Sequence, residues 1–198
     1  IVKKTKLSFW DKVKKFLKLS DEWIDYEYVV GSHNVEKGSE SQGFYDRNVW
    51  YDIADKYDIK NKLWKYTKSM NTHLIGDGIV LYGEIYGPGI QKNYDYGLND
   101  IEFVGFDVMR KGTYLNVDDT HILISGILEL PHVDILHTGI WTKEIQDKFV
   151  FNNFIGTSKV PHEGVVVKSI TGDRAKISKV INPDYLIYSE KNNVGDSH

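Results

Sequence analysis

The sequence predicts an α+β domain, built mainly on antiparallel sheets with a few helices. Three observations point there. Apolar residues recur at helical spacing near the start of the chain, short β-branched and aromatic runs bounded by turn residues dominate the rest, and the helices cluster instead of alternating with the strands. With 198 residues, 41% of them apolar and 13% aromatic, the chain is long enough to bury a core as one domain spanning residues 1–198.

The elements follow in order. Ile1 to Lys4 reads as a strand. Phe9, Trp10, Val13, Phe16 and Leu17 repeat with helical period behind Ser8, a capping residue, and predict a helix from Phe9 to about Leu19 lying over a core. "WIDYEYVVGSHN" is aromatic and β-branched up to Gly31 and predicts a strand and turn. Val49, Trp50, Ile53, Ala54, Tyr57, Leu63 and Trp64 predict one helix from Asn48 to about Trp64. Strands are then expected at Ile79–Tyr86, Ile101–Met109, Ile122–Ile124, Gly164–Lys168 and Ala175–Ile181, with a helix near Thr142–Val150. No repeat, low-complexity tract or linker divides the chain.

A net charge of −3 argues against polyanion binding by bulk charge. Locally the balance differs: Lys3, Lys4, Lys6, Lys12, Lys14, Lys15 and Lys18 are opposed in that stretch by Asp11 alone. Such a patch can track a phosphate backbone, and it also suits the solvated face of an amphipathic helix. With no cysteine, disulfides and thiolate metal sites are excluded, which fits a reducing compartment. No apolar run approaches the roughly 20 residues a membrane helix needs. These features read as a soluble cytoplasmic protein without a membrane partner, and as a monomer.

Strand alternation sharpens the candidate site. Along Ile79–Tyr86, Val80, Tyr82, Glu84 and Tyr86 share one face, so a carboxylate stands among aromatic rings just before Gly87, Pro88 and Gly89. Along Ile101–Met109, alternation groups Phe106 with Val104 and Val108, and Asp107 with Phe103 and Met109. Phe106 is either a stacking platform for a base or a core phenylalanine. Glu163 precedes the strand that ends at Lys168, and Arg174, Lys176 and Lys179 follow. Lysines in apolar strands want an anionic partner, which a phosphate or a solvent-facing strand edge would satisfy.

In order along the chain, these stretches resemble the covalent nucleotidyltransferases, and within them the ATP-dependent RNA ligases that seal nicks in duplex RNA. "GEIYGPGIQKNYDYG" resembles that branch's third motif and "FVGFDV" the motif after it; "EGVVVK" is similar to the fourth and "AKISKVINPDYL" to the fifth. "GSHN" resembles the short motif between the nucleophile and the third motif, and "NVWYDIADKYDIKNKL" the helix after it. The resemblance covers Tyr26 to Leu186 and implies a ligase-type adenylation domain.

It implies a reaction joining RNA 5′-phosphate and 3′-hydroxyl ends, at nicks in duplexes or between single strands, through lysyl-AMP and adenylylated RNA, with ATP and Mg²⁺. Residue by residue, Glu84 implies a ribose contact, Phe106 the adenine stack, and Glu163 metal binding. Lys168 and Lys179 imply phosphate contacts, with Lys176 second to Lys179. His33 stands where the family usually has arginine and implies a phosphate contact that depends on pH.

Two departures matter. Lys176 and Lys179 are three positions apart rather than two, so on one unbroken strand they would face opposite ways. No lysine is followed three residues later by glycine, whereas the family's nucleophile lies in K-x-x-G before "GSHN". The expectation is a chain that starts just downstream of that motif, cannot self-adenylylate, and has no separate C-terminal nucleic-acid-binding domain. A DNA-sealing relative, or a nucleotide- or RNA-binding module without catalysis, is the alternative.

Overall fold

A computed structural model describes residues 1–4, 8–17, 26–32, 35–37, 48–70, 78–151, 153–155 and 160–196. In chain order the strands are β1 (Val2–Lys4), β2 (Tyr26–Tyr28), β3 (Val30–Ser32), β4 (Val35–Lys37), β5 (Gly78–Tyr86), β6 (Gln91–Lys92), β7 (Glu102–Arg110), β8 (Thr113–Tyr114), β9 (Gly164–Lys168), β10 (Ile177–Ile181) and β11 (Gly195–Asp196). The α-helices are α1 (Phe9–Phe16), α2 (Val49–Lys56), α3 (Ile59–Ser69), α4 (Val117–His121), α5 (Lys143–Val150) and α6 (Pro183–Asn192). The class is α+β: every pair within the named sheets is antiparallel.

The main sheet runs β2-β1-β5-β7-β8. Its inner face carries Val2, Ile79, Phe103 and Val108, which form one core with Ile53 of α2, Leu63 of α3 and Ile124. Burying these side chains is the dominant favourable term, roughly 1.5–3 kcal/mol for each fully buried Val, Leu, Ile or Phe. The smaller sheets are β9-β10, β6-β11 and β3-β4. Among the described residues no helix is long and apolar enough to cross a membrane.

Local chemistry explains the helix boundaries. Ser8 and Asp11 cap α1 reciprocally: the Asp11 N–H donates to the Ser8 hydroxyl at 3.2 Å, and the Ser8 N–H to the Asp11 carboxylate at 3.0 Å. The helix is where its period predicts, but Trp10 (70% exposed) and Phe16 (86%) turn to solvent, correcting the expectation that it covers a core. Thr142 caps α5, accepting from the Ile145 N–H at 3.3 Å.

The single helix expected from Asn48 to Trp64 is two. Asp58 adopts a left-handed conformation (φ 52°) between them, which a continuous right-handed helix does not allow, and its side chain accepts from the Asn61 amide at 2.6 Å. Ile122–Ile124 is not a strand but part of a π-helical turn, Ile122–Ile127, continuing α4 with Leu123 and Ile124 buried. A short apolar run fits a buried helix as well as a strand, and Asn116 decides it upstream by capping α4. The strand expected from Ala175 begins only at Ile177, because Asp173 caps a 3₁₀ turn over Arg174–Lys176. Helix α6, unanticipated, starts at Pro183 behind the buried cap Asn182.

Candidate active site

The outer face of β5 and β7 looks toward β9 and β10, and one irregularity decides what it presents. Tyr82 pairs with Asp107 but Gly83 with Gly105, so Phe106 is an extra residue bulged out of the ladder. The bulge overturns simple alternation. Val108 is fully buried in the core, whereas Asp107 lies across from Tyr82, on the side of Glu84. Phe106 is half-buried, and the Lys168 ammonium sits 5.3 Å from its ring centre, so its ring borders the hollow between the sheets.

Asp107 is 7% exposed, and a carboxylate so buried needs cations. Lys168, at the end of β9, donates to it at 2.9 Å and to the Phe106 carbonyl at 3.0 Å. Arg174 donates to its other oxygen and stacks 4.5 Å above the centre of the Tyr114 ring. The anionic partner expected for the strand lysine is therefore internal. Tyr114 packs on Tyr82, whose hydroxyl is pushed up to about 12 by burial and by its bond to Tyr114.

At the other end of β9, Gly164 has φ 146°, and a Cβ there would meet the Val180 carbonyl at 2.1 Å. This turn sets the preceding Glu163 beside β10. Its carboxylate accepts from the Tyr96 hydroxyl at 2.7 Å, Lys179 at 3.0 Å and the Gln91 amide at 3.3 Å. Burial raises its pKa, but those donors outweigh burial and hold Glu163 below the ordinary carboxylate range. Tyr96 is wedged by Tyr86 and Tyr94, and the Tyr94 hydroxyl donates to the Pro161 carbonyl at 2.7 Å.

Glu84 stands at the solvent-reached rim of the same hollow and accepts no hydrogen bond among the described residues. Crowding by protein raises its pKa, Glu163 raises it further, and Lys179 partly offsets both. Lys168 and Lys179 lie on one face of the β9-β10 pair, since Val166 pairs with Lys179 and Lys168 with Ile177. Between them Val166 is 55% exposed.

Phe106 and Lys168 thus meet at one end of the space between the two sheets, and Glu84, Glu163 and Lys179 at the other. Lys176 falls in the 3₁₀ turn before β10 and faces Asp173 at 3.7 Å on the surface. His33 lies outside the described residues. Sequence reasoning missed Asp107, Arg174, Tyr96 and Gln91 as site members. Signals were present: Gln91 and Tyr96 stand in the glycine-rich block and Asp107 directly follows Phe106. Asn93 of that block serves the fold, donating to the Asn192 carbonyl at the end of α6 at 2.9 Å.

The donor set suits a nucleotide: an aromatic ring beside one ammonium group, a second ammonium group and an exposed valine on the same face of β9-β10, and at the rim a carboxylate that accepts no hydrogen bond among the described residues. It suits Mg²⁺ in the form that ion prefers, through one or two carboxylates plus substrate phosphates. Among the described residues no group of three or more His, Cys, Asp or Glu forms an all-protein metal cage.

A family model described as RNA ligase matches residues 10–181, a span that includes every residue of this hollow. No curated protein matches the chain. No solved structure matches it either.

Proposed function

Since this chain belongs to the RNA ligase family and its function is of the ligase type, we propose that the hollow binds ATP and serves ATP-dependent joining of RNA 5′-phosphate and 3′-hydroxyl ends. The observation that carries this reading is the placement, on the facing sides of β5-β7 and β9-β10, of a bulged aromatic ring, a rim carboxylate that accepts no hydrogen bond among the described residues, and two lysines. Phe106 supplies a face for adenine, and Glu84 an acceptor for a ribose hydroxyl. Lys168 and Lys179 meet phosphate oxygens and offset the charge that builds up in phosphoryl transfer.

Asp107 positions Lys168 for that task. Tyr96 and Gln91 orient Glu163, which with nucleotide phosphates would hold Mg²⁺. When bound, that ion would neutralise phosphate charge. In the proposed sequence a lysine attacks the ATP α-phosphate and pyrophosphate leaves, AMP passes from that lysine to the RNA 5′-phosphate, and the 3′-hydroxyl then attacks the adenylylated phosphate, joining the ends and releasing AMP; no K-x-x-G supplies that lysine within these 198 residues.

Equilibrium ATP binding to the wild-type chain and to Glu84→Ala and Phe106→Ala tests the reading. Each variant is expected to keep its fold and lose about tenfold in affinity, some 1.4 kcal/mol. If Phe106 serves packing alone, Phe106→Ala will instead lower stability, by up to about 3–5 kcal/mol, with ATP affinity unchanged.

A further inference from the structure

We propose that His121 and His132 form a two-imidazole site for a first-row transition-metal dication of the Zn²⁺ class, beside the residues proposed to hold the nucleotide. The Nδ1 atoms of the two rings approach to 3.4 Å, with ring centres 4.9 Å apart and planes at 78°. Two nitrogens bound to one tetrahedral ion at about 2.0–2.1 Å lie roughly 3.3–3.4 Å from each other, so the spacing fits shared coordination. It is long for a nitrogen–nitrogen hydrogen bond, the arrangement that competes with it.

The surroundings leave the pair accessible. His121 ends α4 on the exposed surface, where an ion can reach it. His132 is half-buried beside it. An unprotonated ring at neutral pH is the form that ligates. No third His, Cys, Asp or Glu completes a cluster among the described residues, which leaves the remaining positions to water.

The placement gives the ion a structural consequence. His132 lies in a segment that pairs with β7 at the bulge: the Gly105 N–H donates to the Pro131 carbonyl at 2.8 Å, and the Val133 N–H to the Gly105 carbonyl at 3.0 Å. A metal joining His121 to His132 would clip α4 to the segment that backs Phe106 and Asp107.

Thermal melts of the tag-free chain test this. Zn²⁺ at about ten times its Kd should raise Tm by about 3–6 °C, and Co²⁺ should develop visible absorption bands. Both effects should vanish in His121→Gln, a surface change that spares the fold, and in His132→Gln. No Zn²⁺ shift up to millimolar concentration, or an equal shift in His121→Gln, would overturn the proposal.

Discussion

Asp107 is held between the Lys168 ammonium and the Arg174 guanidinium, so removing its charge leaves two cations facing each other without their counterion. Asp107→Ala is expected to destabilise the protein by roughly 3 kcal/mol, toward the low end for a broken buried pair because Arg174 stays half exposed; urea denaturation measures it. Glu163 and Glu84 should respond oppositely to pH. The folded pKa of Glu163 is depressed, so its contribution is present above the ordinary value of 4.5 and lost as pH falls through the folded value. Glu163→Gln should therefore cost about 1–2 kcal/mol at neutral pH, a difference that shrinks in acid. The folded pKa of Glu84 is raised, so its ionised form opposes folding above that value and the penalty disappears below 4.5. Glu84→Gln should raise the urea midpoint at neutral pH and leave it unchanged in acid; a midpoint lowered at neutral pH would contradict the crowding described for Glu84.

At the scale of the element, β9 depends on how it begins. Gly164 combines a φ of 146° with backbone 2.1 Å from where a Cβ would sit, opposite Ile181 in the ladder. Gly164→Ala should cost on the order of 3 kcal/mol and displace Glu163 from Tyr96. Calorimetry reads the first effect. A tyrosine ultraviolet titration in which Tyr96 ionises more readily, having lost its carboxylate neighbour, reads the second. The remaining boundaries show the same local logic: Ser8, Asn48, Asn116, Thr142 and Asn182 each accept from a backbone N–H in the first turn of their helix.

The bonds that tie β9, β10 and the turn between them to the rest of the molecule are distant in sequence: Lys168 and Arg174 reach Asp107, and Tyr96 and Gln91 reach Glu163, across 61 to 72 residues. The hollow is therefore a property of the folded chain, and nucleotide binding should be lost together with the cooperative unfolding transition. Incubated with labelled ATP and Mg²⁺, these 198 residues should bind nucleotide yet form no acid-labile lysyl-AMP adduct, because no lysine lies in a K-x-x-G context. A stable adduct would refute that expectation.

The sequence by itself determined the class of the fold, the long strands β5 and β7, the strand β9, and the starts of α1, α2 and α5. Each of these follows from apolar period and capping chemistry within a few residues. The glycine-rich block after Glu84 and the ordered motifs also made the family legible. Tertiary structure alone decided that Phe106 bulges from its strand, that Asp107 turns outward while Val108 fills the core, and that Trp10 and Phe16 of α1 face water. The reason is physical. Alternation counts residues along one strand, whereas a bulge exists only relative to the partner strand. Likewise, a face that can be buried is buried only when another element arrives to cover it.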